Sequence, residues 1–297
     1  QSGGTVVTDN VAYDSRDMIV WFSNDVVVRN NTLERGRYGL HVMYSDRTTV
    51  ERNRLVANST SLYVMYSKGT IVNDNVFAKA DGPSGYGMTA KESDLASVAR
   101  NRFVDNRVGI YLDNSPFDGR VKTVFDRNVI AYNIVGLLLE PAVRNNRFVR
   151  NSFIDNQEQV SATTSGKIRG NDWTINGIGN HWSDYAGFDG DGDGIGDIPY
   201  RAEGLYDSLT DTHPQLMFFA ETPAAQALDA AARAFPTLRP EPKAVDTGPL
   251  INPPRMPPLE GSTVGTDRAT LLGWSSLLGA VALALFLGAR RRTIVSS

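Results

Sequence analysis

The chain has 297 residues, of which 41% are hydrophobic and 21% charged, so it is globular in composition and long enough for one extended domain or two compact ones. Its net charge of −3 and the lack of a long Lys/Arg run before residue 290 argue against a general nucleic-acid-binding protein. The absence of cysteine excludes disulfides, thiol catalysis and Cys-ligated zinc, so any soft-metal chemistry depends on Met or His.

The N-terminus already belongs to a repeating pattern. The chain starts at Gln1 with neither an initiator Met nor an apolar signal region, and "GTVVTDN" (4–10) reads like the middle of a repeat. We therefore expect a processed product or a fragment.

A repeat of about 22 residues follows. "GLHVMYSD" (39–46) recurs as "SLYVMYSK" (61–68), and several serines precede an asparagine by eight residues. These pairs are Ser23/Asn31, Ser45/Asn53, Ser67/Asn75 and Ser93/Asn101. Some asparagines have a partner five residues later, as in "NRFVDN" (101–106) and "NRFVRN" (146–151). Insertions within "AKADGPSGYG" (78–87) and "PFDGRVKTVF" (116–125) interrupt the spacing and are expected to form loops.

Short β-rich runs joined by Asn, Gly and Ser turns at this period predict an all-β fold, a right-handed parallel β-helix over residues 1–220. Each repeat is one coil, which buries its apolar face only by stacking on its neighbours. The repeated asparagines can form amide ladders along the axis, and they tolerate the left-handed backbone conformation that such turns often need. A leucine-rich repeat has a similar length, but these runs lack its leucine spacing and helical half.

The alternation of side chains along each strand predicts an inner and an outer face. Leu40 and Val42 belong to a consistently apolar column, which we expect to point inward. The alternate column then points outward and brings His41, Met43 and Met65 together on coils about 4.8 Å apart. Thioether and imidazole groups suit Cu(I), so these three residues are candidate copper ligands.

A second interpretation of the same residues is a protein contact. Met-rich surfaces adapt well to partners, and Trp21 and Tyr63 in the same columns would extend such a surface. The columns continue with Lys91, Asp113 and Glu140, which form either a solvated charged face or a carbohydrate groove.

After the repeats comes an acidic segment, "NHWSDYAGFDGDGDGIGDIPY" (180–200), that resembles a calcium-binding loop. Positions 1, 3, 5, 7 and 9 of that loop are Asp189, Asp191, Asp193, Ile195 and Asp197, with Ile195 offering a backbone carbonyl. Position 12 is Tyr200 where a Glu is expected, so Asp184 or Glu203 would have to complete the shell. The sequence therefore predicts either a structural Ca²⁺ site or an ion-free Asp-Gly turn.

The sequence pattern of residues 221–297 predicts a membrane anchor joined to the β-helix by a linker. Residues 221–235 form a short helix, and the Pro-rich residues 236–268 form an extended linker. Residues 269–289 are uncharged and long enough to span a bilayer, although a buried hydrophobic helix is the alternative. The arginines that follow place the tail, 290–297, in the cytoplasm.

With the Asn-rich coils and the Trp-Ser-Asp-Tyr segment followed by the Asp-Gly run and Ile-Pro-Tyr, the chain resembles the NosD family over about residues 5–220. These are periplasmic β-helical proteins of nitrous oxide reductase maturation. The resemblance implies a partnership with an ABC transporter, comprising a permease and an ATPase, and with a copper-chaperone lipoprotein, to assemble the copper centres of nitrous oxide reductase. It implies no catalytic residues.

We therefore expect a non-enzymatic scaffold that receives Cu(I) transiently, located in the periplasm and anchored in the inner membrane by residues 269–289. The competing hypothesis is a polysaccharide lyase, hydrolase or epimerase, because Asn-rich coils also occur among carbohydrate-active β-helix proteins. Lys91, Asp113 and Glu140 lie on successive coils without an obvious acid and base pair.

Overall fold

The computed structural model describes residues 3–82, 84–163, 168–202 and 242–256, together with isolated positions between 209 and 231. Within these residues, strands enter three long parallel sheets in rotation, so that each coil adds one strand to each sheet. The parallel β-helix predicted from the repeat is confirmed.

The three sheets run along the axis of the solenoid. The first contains β1 (Val6–Thr8), β4 (Val27–Arg29), β7 (Thr49–Glu51), β10 (Lys68–Asn73), β13 (Asp94–Ala99), β16 (Thr123–Asp126) and β19 (Asn146–Val149). The second contains β2 (Val11–Tyr13), β5 (Thr32–Glu34), β8 (Arg54–Val56), β11 (Val76–Ala78), β14 (Arg102–Val104), β17 (Val129–Ala131), β20 (Ser152–Ile154) and β22 (His181–Trp182). The third contains β3 (Asp17–Trp21), β6 (Tyr38–Met43), β9 (Thr60–Met65), β12 (Tyr86–Lys91), β15 (Val108–Asp113), β18 (Val135–Leu139) and β21 (Glu158–Ala162).

The interior is filled by columns that receive one apolar side chain from each coil. In the second sheet the column from Leu33 to Trp182 is at most 1% exposed. Its members are Leu33, Leu55, Phe77, Phe103, Ile130, Phe153 and Trp182. Rings of neighbouring coils stack, with the centroids of Phe77 and Phe103 5.0 Å apart. Burial of each such side chain contributes about 1.5–3 kcal/mol, so the repeated column is a main source of stability.

The predicted asparagine ladder is confirmed. Each side-chain Nδ2 donates to Oδ1 of the next asparagine at 2.9–3.0 Å. The ladder consists of Asn10, Asn31, Asn53, Asn75, Asn101, Asn128, Asn151 and Asn180. The left-handed conformation that such turns need occurs one residue before the ladder asparagines, as at Arg52 and Arg100. The corner therefore bends at an exposed side chain and leaves the asparagine amide free to bond along the axis.

A second ladder lies one turn further along the coil. Asn106 donates to Asn133 at 3.0 Å, and Asn133 donates to Asn156 at 2.8 Å. The spacing of five residues is thereby confirmed for the pair at 101–106, but "NRFVRN" (146–151) is out of phase. Asn151 belongs to the first ladder, and Asn146 lies one corner earlier, where its Nδ2 donates to Oδ1 of Asn171 at 3.1 Å.

The insertions emerge between strands, as predicted: one lies between β11 and β12, and the other lies between β15 and β16.

The glycine at the start of many third-sheet strands has a steric cause. A Cβ on Gly109 would lie 2.6 Å from the carbonyl oxygen of Gly136 on the next coil. Only glycine allows this approach without a shift of the backbone.

The C-terminal end of the solenoid is covered by a segment that returns from later in the chain. Strand β24 (Ala244–Asp246) pairs antiparallel with β23 (Tyr200–Ala202). Asp246 is fully buried and extends the first ladder, since its Oδ2 accepts the backbone N–H of Asn180 at 2.7 Å and Nε1–H of Trp182 at 3.0 Å. Residues 242–256 are therefore a folded cap and not part of the extended linker predicted at 236–268. The cap could not be predicted from the sequence, because the unpaired donors at the ladder's end exist only in the folded solenoid.

The remaining C-terminal predictions lie outside the described residues: most of the helix at 221–235, the rest of the linker, the membrane span at 269–289 and the tail at 290–297. They stay predictions, as does the domain boundary at residue 220. In the part of the chain that the structure describes, no helix combines the length and apolarity that a membrane crossing requires.

Candidate functional site

The outer face of the third sheet has the register predicted from alternation. The first outward column consists of Ile19, His41, Tyr63, Thr89, Tyr111 and Leu138. The second consists of Trp21, Met43, Met65, Lys91 and Asp113. The intervening residues, such as Leu40 and Val42, are 0% exposed, so the inward assignment is also confirmed.

We call Trp21, His41, Met43, Tyr63 and Met65 the Met/His face. Its central contact joins Nε2 of His41 to Sδ of Met65 across 3.2 Å. Met43 is the register partner of Met65 on the adjacent coil. In zinc sites the metal lies about 2.0 Å from an imidazole nitrogen and about 2.3 Å from a thiolate sulfur. By that scale a nitrogen and a sulfur 3.2 Å apart are close enough to contact one ion.

One expectation for the Met/His face is wrong: His41 does not lie open to solvent. It is 8% exposed, although its backbone position is on the outer face. The ring of Tyr38 meets it edge-on at 5.0 Å between centroids, and the ring of Tyr63 stacks on it at 5.4 Å. Tyr38 covers the imidazole from its own strand, β6, and Tyr63 covers it from the adjacent strand, β9.

The surroundings of His41 favour its neutral form. Burial lowers the pKa of His41; Asp17 opposes the change and Arg37 adds to it. Asp17 accepts two hydrogen bonds from Arg37, at 2.6 and 3.1 Å, which limits its influence on the imidazole. A neutral imidazole keeps a lone pair on one ring nitrogen, as a metal ligand must.

An aromatic ladder beside the Met/His face was missed by the sequence argument. Phe22 stacks on Tyr44 with centroids 4.9 Å apart, and Tyr44 stacks on Tyr66 at the same distance. These residues follow the strand ends and have φ between 46° and 50°. The signal was an aromatic residue directly before Ser23, Ser45 and Ser67. Strand alternation does not apply there, because the backbone turns at these left-handed residues.

The charged continuation of the same face is ion-paired. Lys91 Nζ donates to Asp113 Oδ2 at 2.6 Å, and the Tyr111 hydroxyl donates to Glu140 Oε1 at 3.0 Å. Burial, followed by the hydrogen bond to Glu140, raises the pKa of Tyr111, so its hydroxyl stays protonated. Each carboxylate is engaged by a neighbouring coil, an arrangement that differs from a free acid and base pair.

The acidic loop brings part of the predicted calcium ligands together. Donor atoms from Asp189, Asp191 and Asp193 lie within 4.8 Å of one another. Asp197 instead accepts the backbone N–H of Gly190 at 2.8 Å. The backbone of Ile195, the predicted carbonyl ligand, forms a bridge to Leu250 in the cap.

Asp184 does not complete this shell. It lies outside the three-carboxylate group and accepts hydrogen bonds from the hydroxyl of Tyr200 at 3.0 Å and from Gln159 at 3.2 Å. Glu203 lies outside the described residues. The Ca²⁺ assignment stays a prediction.

A polar cleft of about 260 Å³ opens where the cap meets the last coils. Lys243 of the cap donates to Glu158 at 2.5 Å on one side. Asp184 lies on another side of the cleft. Burial raises the pKa of its carboxyl group, although the hydrogen bonds from Tyr200 and Gln159 act in the opposite direction. This cleft could not be predicted from the sequence, because it is lined by residues as far apart in the chain as Glu158 and Lys243, 85 positions.

A sequence model of the family described as periplasmic copper-binding protein (NosD) matches residues 1–187. A protein of Pseudomonas aeruginosa named "Probable ABC transporter binding protein NosD" is 36% identical over 131 residues, which are 44% of this chain and 30% of that protein. A protein of Stutzerimonas stutzeri with the same name is 34% identical over 129 residues, or 43% of this chain and 29% of that protein. The matched region therefore spans under a third of the length of each relative.

Proposed function

The chain belongs to the NosD family of periplasmic copper-binding proteins, and on that basis we propose that its Met/His face receives Cu(I) transiently during nitrous oxide reductase maturation. In this role the protein is a periplasmic scaffold rather than an enzyme. The observation that carries the proposal is the 3.2 Å contact between Nε2 of His41 and Sδ of Met65, with Met43 beside Met65.

The proposed ligands, His41, Met43 and Met65, suit Cu(I). Thioether sulfur and neutral imidazole bind soft Cu(I) in preference to harder ions, which require carboxylate, carbonyl or water oxygen. The carboxylate of Asp17, which influences His41 electrostatically, is held by Arg37. The burial that keeps His41 neutral also prepares its ring nitrogen for a metal ion without a competing proton.

The partners form a second part of the proposal. Two relatives carry the name ABC transporter binding protein, which supports a complex with a transporter permease and its ATPase. A copper-chaperone lipoprotein would donate the ion, and apo nitrous oxide reductase would accept it. Residues 269–289 would hold the solenoid beside the permease in the inner membrane.

Anaerobic titration of the full chain with Cu(I), against a competing chelator, tests the site. The variant combines His41→Ala with Met43→Leu and Met65→Leu, since Leu conserves the volume of Met. The matched control is Lys91→Ala with Asp113→Ala, which changes the same outer face without removing a soft donor. We expect one tight Cu(I) site in the wild type and the control, and its loss in the triple variant.

Equal Cu(I) affinity in the triple variant and the wild type would show that the ion binds elsewhere or is carried only by partners. Release of reducing sugar from a polysaccharide by the full chain would support the carbohydrate-active interpretation instead.

A further inference from the structure

Trp21 occupies an unusual place for a large indole. It is the register partner of Met43 and continues the column that leads to Met65. It leaves 54% of its surface exposed, whereas Trp173 and Trp182 are buried at the other end of the solenoid. Burial in the core therefore does not explain why this position carries the largest apolar side chain.

Neighbouring aromatic rings restrict the indole. Phe22 contacts it with ring centroids 5.2 Å apart, and Phe22 in turn stacks on Tyr44 at 4.9 Å. The stack continues to Tyr66, so each of its rings belongs to the residue that directly follows Trp21, Met43 or Met65 in the chain. Tyr38 and Tyr63 cover His41. Each of the three proposed ligands thus has an aromatic residue in contact with it or directly after it in the chain.

A cation at such a site gains from an aromatic face. Indole is the strongest cation–π partner among side chains and acts when the cation lies within about 6 Å of the ring centroid. Trp21 and Met43 lie on adjacent strands, about 4.8 Å apart in the sheet, and Met65 lies one strand further. An indole turned toward Met43 can therefore approach an ion held on the Met43 side of the site. Three donors arranged around the ion leave its faces above and below the ligand plane without a ligand, so water can approach there unless a side chain covers them.

We infer that Trp21 covers the metal ion with the face of its indole, so that the site takes a soft monovalent cation, Cu(I) or Ag(I), in a three-coordinate shell closed by a cation–π contact. This inference rests on the proposed function of the Met/His face. The indole supplies electron density without a donor atom, and it excludes the water ligands that a divalent ion would retain.

The test uses Ag(I), a redox-inert soft monovalent probe, and Cu(I) under anaerobic conditions. Wild type, Trp21→Phe and Trp21→Leu are titrated as full chains, with Tyr132→Leu as a control at an aromatic residue that is 60% exposed. Affinity is measured by chelator competition. Tryptophan fluorescence gives a second readout, and the difference between wild type and Trp21→Phe isolates the signal of Trp21.

We expect Ag(I) to quench the Trp21 signal at one ion per chain and Trp21→Leu to weaken binding of both ions about 3- to 30-fold, with Trp21→Phe between them. Tyr132→Leu should match the wild type. If wild type binds the ions but Trp21→Leu binds them equally well and the Trp21 signal does not respond, the role of Trp21 is wrong while the proposed function stands. If wild type binds neither ion, the proposed function is wrong, and the inference about Trp21 falls with it.

Discussion

The interior and the outer face of the third sheet are built from alternating residues of the same strands, yet they follow different rules. Inside, equivalent positions carry equivalent chemistry from coil to coil, as in the apolar columns and the asparagine ladder. Outside, the same register holds Met and His on early coils and a Lys–Asp pair on later ones. Repetition therefore identifies what the fold needs, and departure from it on the surface identifies candidates for function.

The largest expected effect comes from breaking an interior column. Phe125→Ala should lower the free energy of unfolding by about 3–5 kcal/mol, because it removes a 0% exposed ring stacked on Phe148 at 4.8 Å. Urea denaturation measures this loss. Tyr132→Ala, at an exposed ring, is the control and should change little. Cu(I) affinity should be the same in both variants; a parallel loss of affinity would contradict the separation of interior and surface roles.

The second-largest expected loss of stability comes from a substitution in the cap. Asp246→Ala should cost about 3 kcal/mol, since the buried donors of Asn180 and Trp182 lose their acceptor. Asp246→Asn should cost less, because asparagine provides the acceptor oxygen that every other position of the ladder uses. Thermal or urea denaturation of the two variants gives the comparison. Equal losses would mean that the charge of Asp246 matters more than its place in the ladder.

Ca²⁺ binding at the predicted surface loop is tested through its effect on stability. If the loop binds Ca²⁺, an excess of about 100 times the dissociation constant should raise the free energy of unfolding by about 2.7 kcal/mol, and chelation should remove that gain. Asp189→Asn should abolish the dependence, while Asp9→Asn, an exposed residue far along the chain, should retain it. Unfolding of the wild type that is insensitive to Ca²⁺ would support the ion-free Asp-Gly turn.

The smallest expected effect concerns the protonation of His41. Its pKa lies below the ordinary value of 6.5 in the folded protein, so the unfolded chain binds the proton first as the pH falls. Wild-type stability should decline through that region and level off once the folded imidazole is also protonated. His41→Gln should lack this part of the pH dependence, whereas Met65→Leu should keep it. Urea denaturation between about pH 7.5 and about pH 5 measures the difference, and identical profiles for wild type and His41→Gln would contradict it.

The predictions that succeeded depended on local periodicity. The 22-residue spacing gave the coils, and the alternation in "GLHVMYS" gave both faces, including the register of Met43 over Met65. The predictions that failed depended on neighbours that the spacing does not describe. His41 is covered by Tyr38, a residue at the start of its own strand, and Tyr63 from the next coil. "NRFVRN" has the spacing of "NRFVDN" but lies one corner earlier in the coil, because Asn146 is the first residue of β19 in the first sheet, whereas Asn101 precedes β14 in the second.

The sequence by itself determined the parallel solenoid, its inward columns and the outer position of the three candidate ligands, because each coil repeats the pattern of hydrogen bonds and burial of the one before. Only the tertiary structure decided what happens where that repetition stops. The ladder ends in unpaired donors, and Asp246 satisfies them from 66 residues further along the chain. The aromatic ladder flanks the methionines because the backbone turns into the left-handed region at its corners, where strand alternation no longer fixes the side-chain direction.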